Sequence, residues 1–246
     1  MSGPRGAGRG SGPAGGESAA GVRISPSMMC ADFLHLEKDI LAMTAGGPDF
    51  RGVDYLHVDI MDGTYVPNFT LGPDFCKALA RASTLPLDIH LMVQLPERHV
   101  PSFAAFPGAI VCIHPETSPH PLRTLDLIRS HGARAGIAMD PAMPVSAVTE
   151  MLPLVSMVCV MTVNPGYAGQ KLVPTTLAKI RELADLVAER GLDVEIEVDG
   201  NVSWENIPRM VQAGGQVLVA GTSSLYDGTA SLRDNLKRMK ALLGRG

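Results

Sequence analysis

From Val22 onward one pattern returns eight times: a short apolar or alternating run, a polar Gly/Pro loop, then a stretch with helical apolar spacing. The runs fall at 23–28, 54–60, 87–92, 109–114, 134–139, 157–163, 194–199 and 217–220. Strands separated by helices pair in parallel, because each helix carries the chain back over the sheet before the next strand begins. Phe33, Leu36, Ile40 and Met43 make one helical stripe, and Leu177, Ile180, Leu183 and Val187 make another. Asp32, Ser203 and Ser231 are of the residue types that cap a helix start. Eight strands and about eight helices fit a single (β/α)₈ TIM barrel of the α/β class, residues 22–246. A doubly wound open sheet is the structural alternative. No linker-like shift in composition divides the region.

The bulk numbers narrow the function classes. With 46% hydrophobic and 19% charged residues, the chain buries a large core. A net charge of −4 gives no reason to expect nucleic acid or an anionic membrane as partner. Crossing a bilayer needs about 20 apolar residues in a row, and no run reaches that. Cys30, Cys76, Cys112 and Cys159 are far apart, without Cys-x-x-Cys spacing, which reads as buried thiols in a reducing cytoplasm. Residues 1–21 are nearly all Gly, Ala, Ser, Pro and Arg, with no apolar segment of the secretory kind, and are expected to form a disordered tail.

In a barrel, functional groups gather at the C-terminal ends of the strands. Tyr55–Asn68 is the most informative stretch: a strand running into a Gly/Pro loop, with His57, Asp59 and Met61 at every second position and so on one face. Two groups able to bind a metal or move a proton are costly to bury on an apolar strand. Ser27 closes the first strand, His90 and Met92 the third, and Asp199 the seventh. Taken singly, a barrel histidine is more often a hydrogen-bonded core residue, and an aspartate at a strand end more often caps the next helix. Four such groups at one end of three strands point instead to a centre made of His57, Asp59, His90 and Asp199. Imidazole and carboxylate together suit one divalent ion: Zn²⁺, Fe²⁺, Mn²⁺ or Co²⁺. His114-Pro-Glu116, at the fourth strand end, is a lesser metal fragment.

The chemistry such a centre suits is proton abstraction beside a carbonyl, with the ion stabilising an enediolate. Asp59 and Asp199 across the barrel mouth then serve as two acid/base groups on opposite substrate faces, which inverts the carbon. Met61, Met92, Met139 and Met161 near strand ends read either as core filling or as an apolar lining that dries the site. Glu195 and Glu197 share the face of Asp199 and read as partners of the ligand histidines, or, for Glu195, as part of a polar layer at the barrel bottom. Gly166, Gly169, Gly200 and Gly221, with Ser223 beside the last, lie in the loops after strands six to eight, where barrels commonly cradle phosphate.

The segments ISPSMM, HVDIMDGTYVPNFTLGP, LDIHLMV, MTVNPGYAGQKLVP, EVDGNV and AGTSS closely resemble the ribulose-phosphate 3-epimerase family, from about Ile24 to Leu243. The resemblance implies His57, Asp59, His90 and Asp199 as metal ligands and Asp59 and Asp199 as proton acceptor and donor. It also implies substrate contacts from Ser27, His90, Gly166, Tyr167, Ala168, Gly169, Asp199, Gly200, Asn201, Gly221, Thr222 and Ser223, and assembly as a homo-oligomer, dimer to hexamer. Pro-Ser-Met-Met-Cys, His-Pro-Glu-Thr and Glu-Ile-Glu-Val-Asp are similar to the D-allulose-6-phosphate 3-epimerase branch. The expected activity is metal-dependent C3 epimerisation of a ketose phosphate: D-allulose 6-phosphate with D-fructose 6-phosphate, or D-ribulose 5-phosphate with D-xylulose 5-phosphate. The alternatives are a carbon–carbon lyase acting on a phosphosugar and a non-catalytic sugar-phosphate binding module.

Overall fold

The computed structural model describes residues 21–44 and 52–245. The expected disordered tail lies outside the described residues except for Gly21. Eight parallel strands carry the chain: β1 (Arg23–Pro26), β2 (Leu56–Met61), β3 (Leu87–Met92), β4 (Ile110–Ile113), β5 (Arg134–Met139), β6 (Met157–Met161), β7 (Glu195–Asp199) and β8 (Val217–Ala220). Their order is β1-β8-β7-β6-β5-β4-β3-β2, and a parallel bridge between Ser27 and His57 closes β1 onto β2. This is the expected TIM barrel. An open doubly wound sheet is excluded, because its two edges would not meet.

Seven α-helices follow in the described residues: α1 (Leu36–Thr44), α2 (Pro73–Ala82), α3 (Val100–Phe103), α4 (Pro121–Ser130), α5 (Thr175–Glu189), α6 (Ile207–Ala213) and α7 (Leu232–Leu242). The connection from β5 to β6 holds two short 3₁₀ turns, Val145–Ala147 and Leu152–Leu154, in place of an α-helix. Pro141, Pro144 and Pro153 recur there too often for an α-helix, since each removes a backbone donor and clashes with the preceding turn. Ser231 caps α7, its hydroxyl accepting the Asp234 N–H at 3.2 Å. Asp32 and Ser203 instead cap turns, accepting the N–H of Leu34 and of Asn206, and the helices begin a few residues later. Phe33 therefore precedes α1, stands 55% exposed, and leaves the expected stripe to Leu36, Ile40 and Met43.

The core is in two layers. Outward strand residues such as Val58, Ile89, Val111, Ile137, Val158 and Val198 pack against the helices. Inward residues such as Ile110, Cys112, Ala138, Met157, Cys159 and Val217 fill the barrel. Alternation puts Gly136 and Ala138 inside, so Met139 faces the helices and is no part of a lining at the mouth. At the lower end Arg23 pairs with Glu195, Tyr55 donates to Glu195 at 2.8 Å, and Arg134 lies over the Tyr55 ring, a polar plug for the barrel.

Gly136 marks how tightly the interior is filled. A Cβ added there would sit 2.4 Å from Cys112 Sγ and 3.3 Å from the Met157 carbonyl oxygen. Gly136→Ala is expected to cost about 1–3 kcal/mol by overpacking, read as a lower denaturant midpoint with an unchanged slope.

Candidate active site

The register of β2 and β3 sets His57 beside Asp88 and Asp59 beside His90, all pointing inward. The end of β2 is held by Thr70, whose hydroxyl donates to the Asp59 carbonyl at 2.6 Å and accepts the Met61 N–H at 3.0 Å. Thr162 does the same for β7, sending its N–H to the Asp199 carbonyl at 2.7 Å. These loop contacts fix the backbone from which both aspartates project.

His57, Asp59, His90 and Asp199 converge. One ligand atom from each lies within 4.8 Å of all the others. Nε2 of His57 is 3.2 Å from Asp59 Oδ1 and 3.9 Å from Asp199 Oδ2. Nδ1 of His90 is 3.5 Å and 3.6 Å from the same two oxygens. Both imidazoles and Asp59 are buried, and Asp199 opens partly onto the mouth. Ser27 Oγ donates to Asp59 Oδ2 at 2.9 Å, leaving Oδ1 toward the centre.

Below this ring sits a layer the sequence reading reached only in part. Asp88, not singled out from the sequence, accepts His57 Nδ1–H at 2.7 Å and Ser25 Oγ at 2.9 Å. The signal available was its place two residues before His90, on the same strand face. Glu197 Oε1 is 3.7 Å from His57 Nδ1, so Glu197 does flank a histidine of the ring, while Glu195 belongs to the plug at the bottom. His57, Asp88 and Glu197 also lie close enough to share an ion, but the histidine nitrogen on that side is already given to Asp88. His114 does not join the ring of four. Its Nε2 lies 2.9 Å from Nε2 of His90, behind that side chain.

The charges explain themselves through this packing. Burial alone would push the His57 imidazole down, but the carboxylates of Asp88 and Asp59 hold it well above its usual range. Burial opposes His90 likewise, and Asp199 and Asp59 lift it to about 9. Burial would raise Asp59, yet His57 and His90 keep it far below the ordinary carboxylate range. Glu197 is pushed well up by burial and by Asp88, so it stays a neutral acid. In short, the site demands positive charge. Imidazolium supplies it in the absence of a cation.

The buried Nδ1 of His90 has no hydrogen-bond partner and faces both aspartates. With an ion in place of its proton, that nitrogen would join the imidazole and carboxylate donors around it, a set that fits a single metal ion.

Above the ring a cleft is lined by Ser27, Asp59, Met61, Met92, Met161 and Asp199 and by the loops 163–170, 199–202 and 221–223. Every expected substrate-contact residue apart from His90, which lies beneath, is on this surface: Gly166, Tyr167, Ala168, Gly169, Gly200, Asn201, Gly221, Thr222 and Ser223. Met29, Cys30 and Gln170 also line it and were not foreseen. Positive φ falls on Gly166, Gly169 and Gly200, and on Asn201 at 45°, whereas Ala168 keeps an ordinary backbone. At Gly200 a Cβ would meet Val163 at 2.5 Å and its backbone nitrogen at 3.0 Å, so only glycine turns there. The Asn201 amide reaches Ser223 Oγ at 3.4 Å, and Asn206 donates to Asn201 Oδ1 at 2.7 Å, tying the last two loops together.

Residues 23–225 match the sequence pattern of the ribulose-phosphate 3 epimerase family. The chain belongs to that family. The ribulose-phosphate 3-epimerase of Escherichia coli K12 is 42% identical over 83% of this chain and 88% of its own length. That of Bacillus subtilis is 39% identical over 82% and 91%. The chloroplastic ribulose-5-phosphate-3-epimerase of Arabidopsis thaliana is 38% identical over 91% and 78%. Among solved structures, a mutant tryptophan synthase α-subunit of Pyrococcus furiosus superposes with a TM-score of 0.63 at 16% identity, covering 92% of this chain and 99% of that one. At that identity it speaks for the fold alone. As a member of the ribulose-phosphate 3-epimerase family the chain is an isomerase, and among its described residues no helix is long and apolar enough to cross a membrane.

The charge pattern in this epimerase family member has a measurable sign. His90 has a folded-state value near 9 against an unfolded 6.5. The stability it adds is complete below about pH 6.5 and is lost as pH rises through about 9. The melting temperature of metal-free protein is expected to fall across that window. Divalent-cation binding should tighten across it, because the cation displaces those protons. Thermal unfolding and chelator competition over the same window check both, and flat profiles would contradict the charge assignment.

Proposed function

We propose that the chain epimerises C3 of a ketose phosphate, interconverting D-ribulose 5-phosphate and D-xylulose 5-phosphate. The observation that carries this reading is the pair of carboxylates, Asp59 and Asp199. They approach one point from β2 and β7, strands three steps apart around the barrel, above two imidazoles that share both. The names of the relatives, all ribulose-phosphate 3-epimerases at about 40% identity, favour the pentulose.

His57, Asp59, His90 and Asp199 would hold one divalent ion, of zinc, iron, manganese or cobalt, which would polarise the substrate carbonyl and offset the negative charge that proton loss leaves. Asp59 takes the C3 proton on one face, and Asp199, in its protonated form, returns one on the other, so the carbon inverts and the proton count is unchanged. Ser27 and the two imidazoles fix the Asp59 carboxylate, so it enters the reaction already oriented. Met61, Met92 and Met161, all nearly fully buried, form the apolar wall that keeps water from the reacting carbon. Backbone N–H groups of 166–169, 199–201 and 221–223, with Ser223 Oγ, receive the phosphate, and His90 lies beneath the reacting end of the sugar.

Residues 22–246 act as one catalytic domain in a homo-oligomer. Exposed Phe33, Leu34 and Leu41 around the start of α1 are apolar surface that a second copy would cover. Four free cysteines suit the reducing cytoplasm.

A second substrate reading rests on Pro26–Cys30, His114–Thr117 and Glu195–Asp199, whose spelling resembles the D-allulose-6-phosphate branch. Offering both sugars to the protein in deuterated water decides. The expected result is inversion at C3 with deuterium incorporated and the carbon chain intact, faster for the pentulose. Faster hexulose turnover moves the assignment to D-allulose 6-phosphate, chain cleavage moves it to a lyase, and no inversion of either sugar ends the epimerase reading.

Asp59→Asn and Asp199→Asn are each expected to lower kcat by about 10²–10⁴-fold or more, the usual reach of a positioned acid or base. Circular dichroism should still report a folded barrel. A non-catalytic module would show no turnover to lose.

A further inference from the structure

His90 has one nitrogen engaged and one bare. Its Nε2 meets Nε2 of His114 at 2.9 Å, and its Nδ1 is buried without a partner, facing Asp59 and Asp199. With a cation at the centre in place of the imidazolium proton, a single hydrogen would lie between two neutral imidazoles, and its owner decides what the far nitrogens can do.

The owner can be read from the other end. Nδ1 of His114 lies 3.1 Å from Tyr65 Oη and 3.3 Å from Glu116 Oε1, and Tyr65 donates its hydroxyl to that same Glu116 oxygen at 2.7 Å. An ionised carboxylate only accepts. The Glu116 side chain is one-third exposed, where water keeps it ionised, and His114 is fully buried. With Glu116 accepting from Tyr65, the remaining donor is Nδ1–H of His114. That leaves a lone pair on Nε2 of His114, which accepts Nε2–H from His90. The lone pair of His90 is then on Nδ1, toward the two aspartates. All four groups are satisfied in one sense only.

His57 needs no such chain, because Asp88 takes its Nδ1–H directly at 2.7 Å. Behind His90 the nearest carboxylate is one imidazole further away. The two imidazoles meet end to end, 5.1 Å between ring centres with 27° between planes, and Tyr65 lies tilted against His114 at 4.9 Å.

We propose that Glu116, through His114, is a positioning device that locks His90 in the tautomer whose Nδ1 is free to bind the divalent ion. This rests on the ion site proposed above and adds two residues outside the ligand set. Metal-ligating histidines generally depend on such outer partners, whose loss weakens metal binding about 10–100-fold.

The test compares full-length parent, Glu116→Gln and Tyr65→Phe by zinc affinity in chelator competition, and by ¹⁵N spectra of the zinc-loaded parent. Glu116→Gln keeps the shape of the side chain, but an amide can donate as well as accept, so the direction of the chain is lost. Glu116→Gln is expected to weaken zinc by about 10–100-fold. Tyr65→Phe, which leaves Glu116 to accept from His114, should bind zinc nearly as the parent does. The spectra should place hydrogen on Nε2 of His90 and on Nδ1 of His114, a signature that mere packing would not produce. A parent that binds one zinc and a Glu116→Gln variant that binds it equally well overturn the device and leave the ion site standing. Hydrogen on Nε2 of His114 overturns it too. A parent that takes up no zinc overturns both.

Discussion

Everything in the upper half of this barrel depends on keeping ionisable groups in a space largely closed to water. Asp59, Asp88, Glu197 and Asp199 all project inward from strands whose outward residues are apolar. Isolated carboxylates in such a place would cost far more than the fold can spare, so each must be neutral, paired or bound to a cation. The barrel uses all three. Glu197 is neutral, Asp88 is paired to His57 and Ser25, and Asp59 and Asp199 face a point where positive charge is required. The demand for positive charge is thus a property of the fold's own electrostatics, before any substrate arrives.

Parallel register turns that demand into geometry. Along β2 the inward order is His57 then Asp59, and along β3 it is Asp88 then His90, with His57 level with Asp88 and Asp59 level with His90. Histidine and aspartate therefore alternate both along and across the strands, like squares on a board. No two like charges are direct neighbours on this pair. A slip of one residue in either strand would turn that strand's histidine and aspartate out toward the helices. The Ser27–His57 bridge that closes the barrel holds β2 in place, and Ser27 itself reaches Asp59, so closure of the fold and orientation of the carboxylate are one event.

Much of this was legible in the sequence because period-two alternation is local. Each strand expected from the apolar runs lies within two residues of its observed bounds, and His57, Asp59, His90 and Asp199 meet as expected. What escaped was decided across strands. Asp88 looks like an ordinary polar residue in Leu-Asp-Ile-His until β2 supplies His57 beside it. His114 reads as a lesser metal fragment because its spacing to Glu116 is local, whereas its contact with His90 is made between neighbouring strands' ends. Met139 stood open between core filling and lining because nearness to a strand end does not say which face is inward; the small pair Gly136 and Ala138, two places apart, does, and Met139 fills the core. Phe33 continues a helical spacing that the backbone abandons, because Asp32 gives its carboxylate to a turn instead.

The seventh strand shows why such a site can sit in so small a space. Glu195, Glu197 and Asp199 form a ladder of acids on one face, which in a uniform medium would repel one another. Each rung has a different solution. Glu195 meets Arg23 and Tyr55 at the lower opening, where guanidinium groups can still touch water. Glu197, in the driest layer between Cys112 and Cys159, gives up its charge. Asp199, at the mouth, stands beside the imidazoles and keeps an edge open to the cleft. The acids of β7 thus meet solvent toward both ends of the barrel, while the middle rung lies fully buried beside the His57–Asp88 pair. That arrangement leaves a single acid rung of β7 facing the cleft, which is where a carboxylate must stand if it is to exchange a proton with a bound molecule.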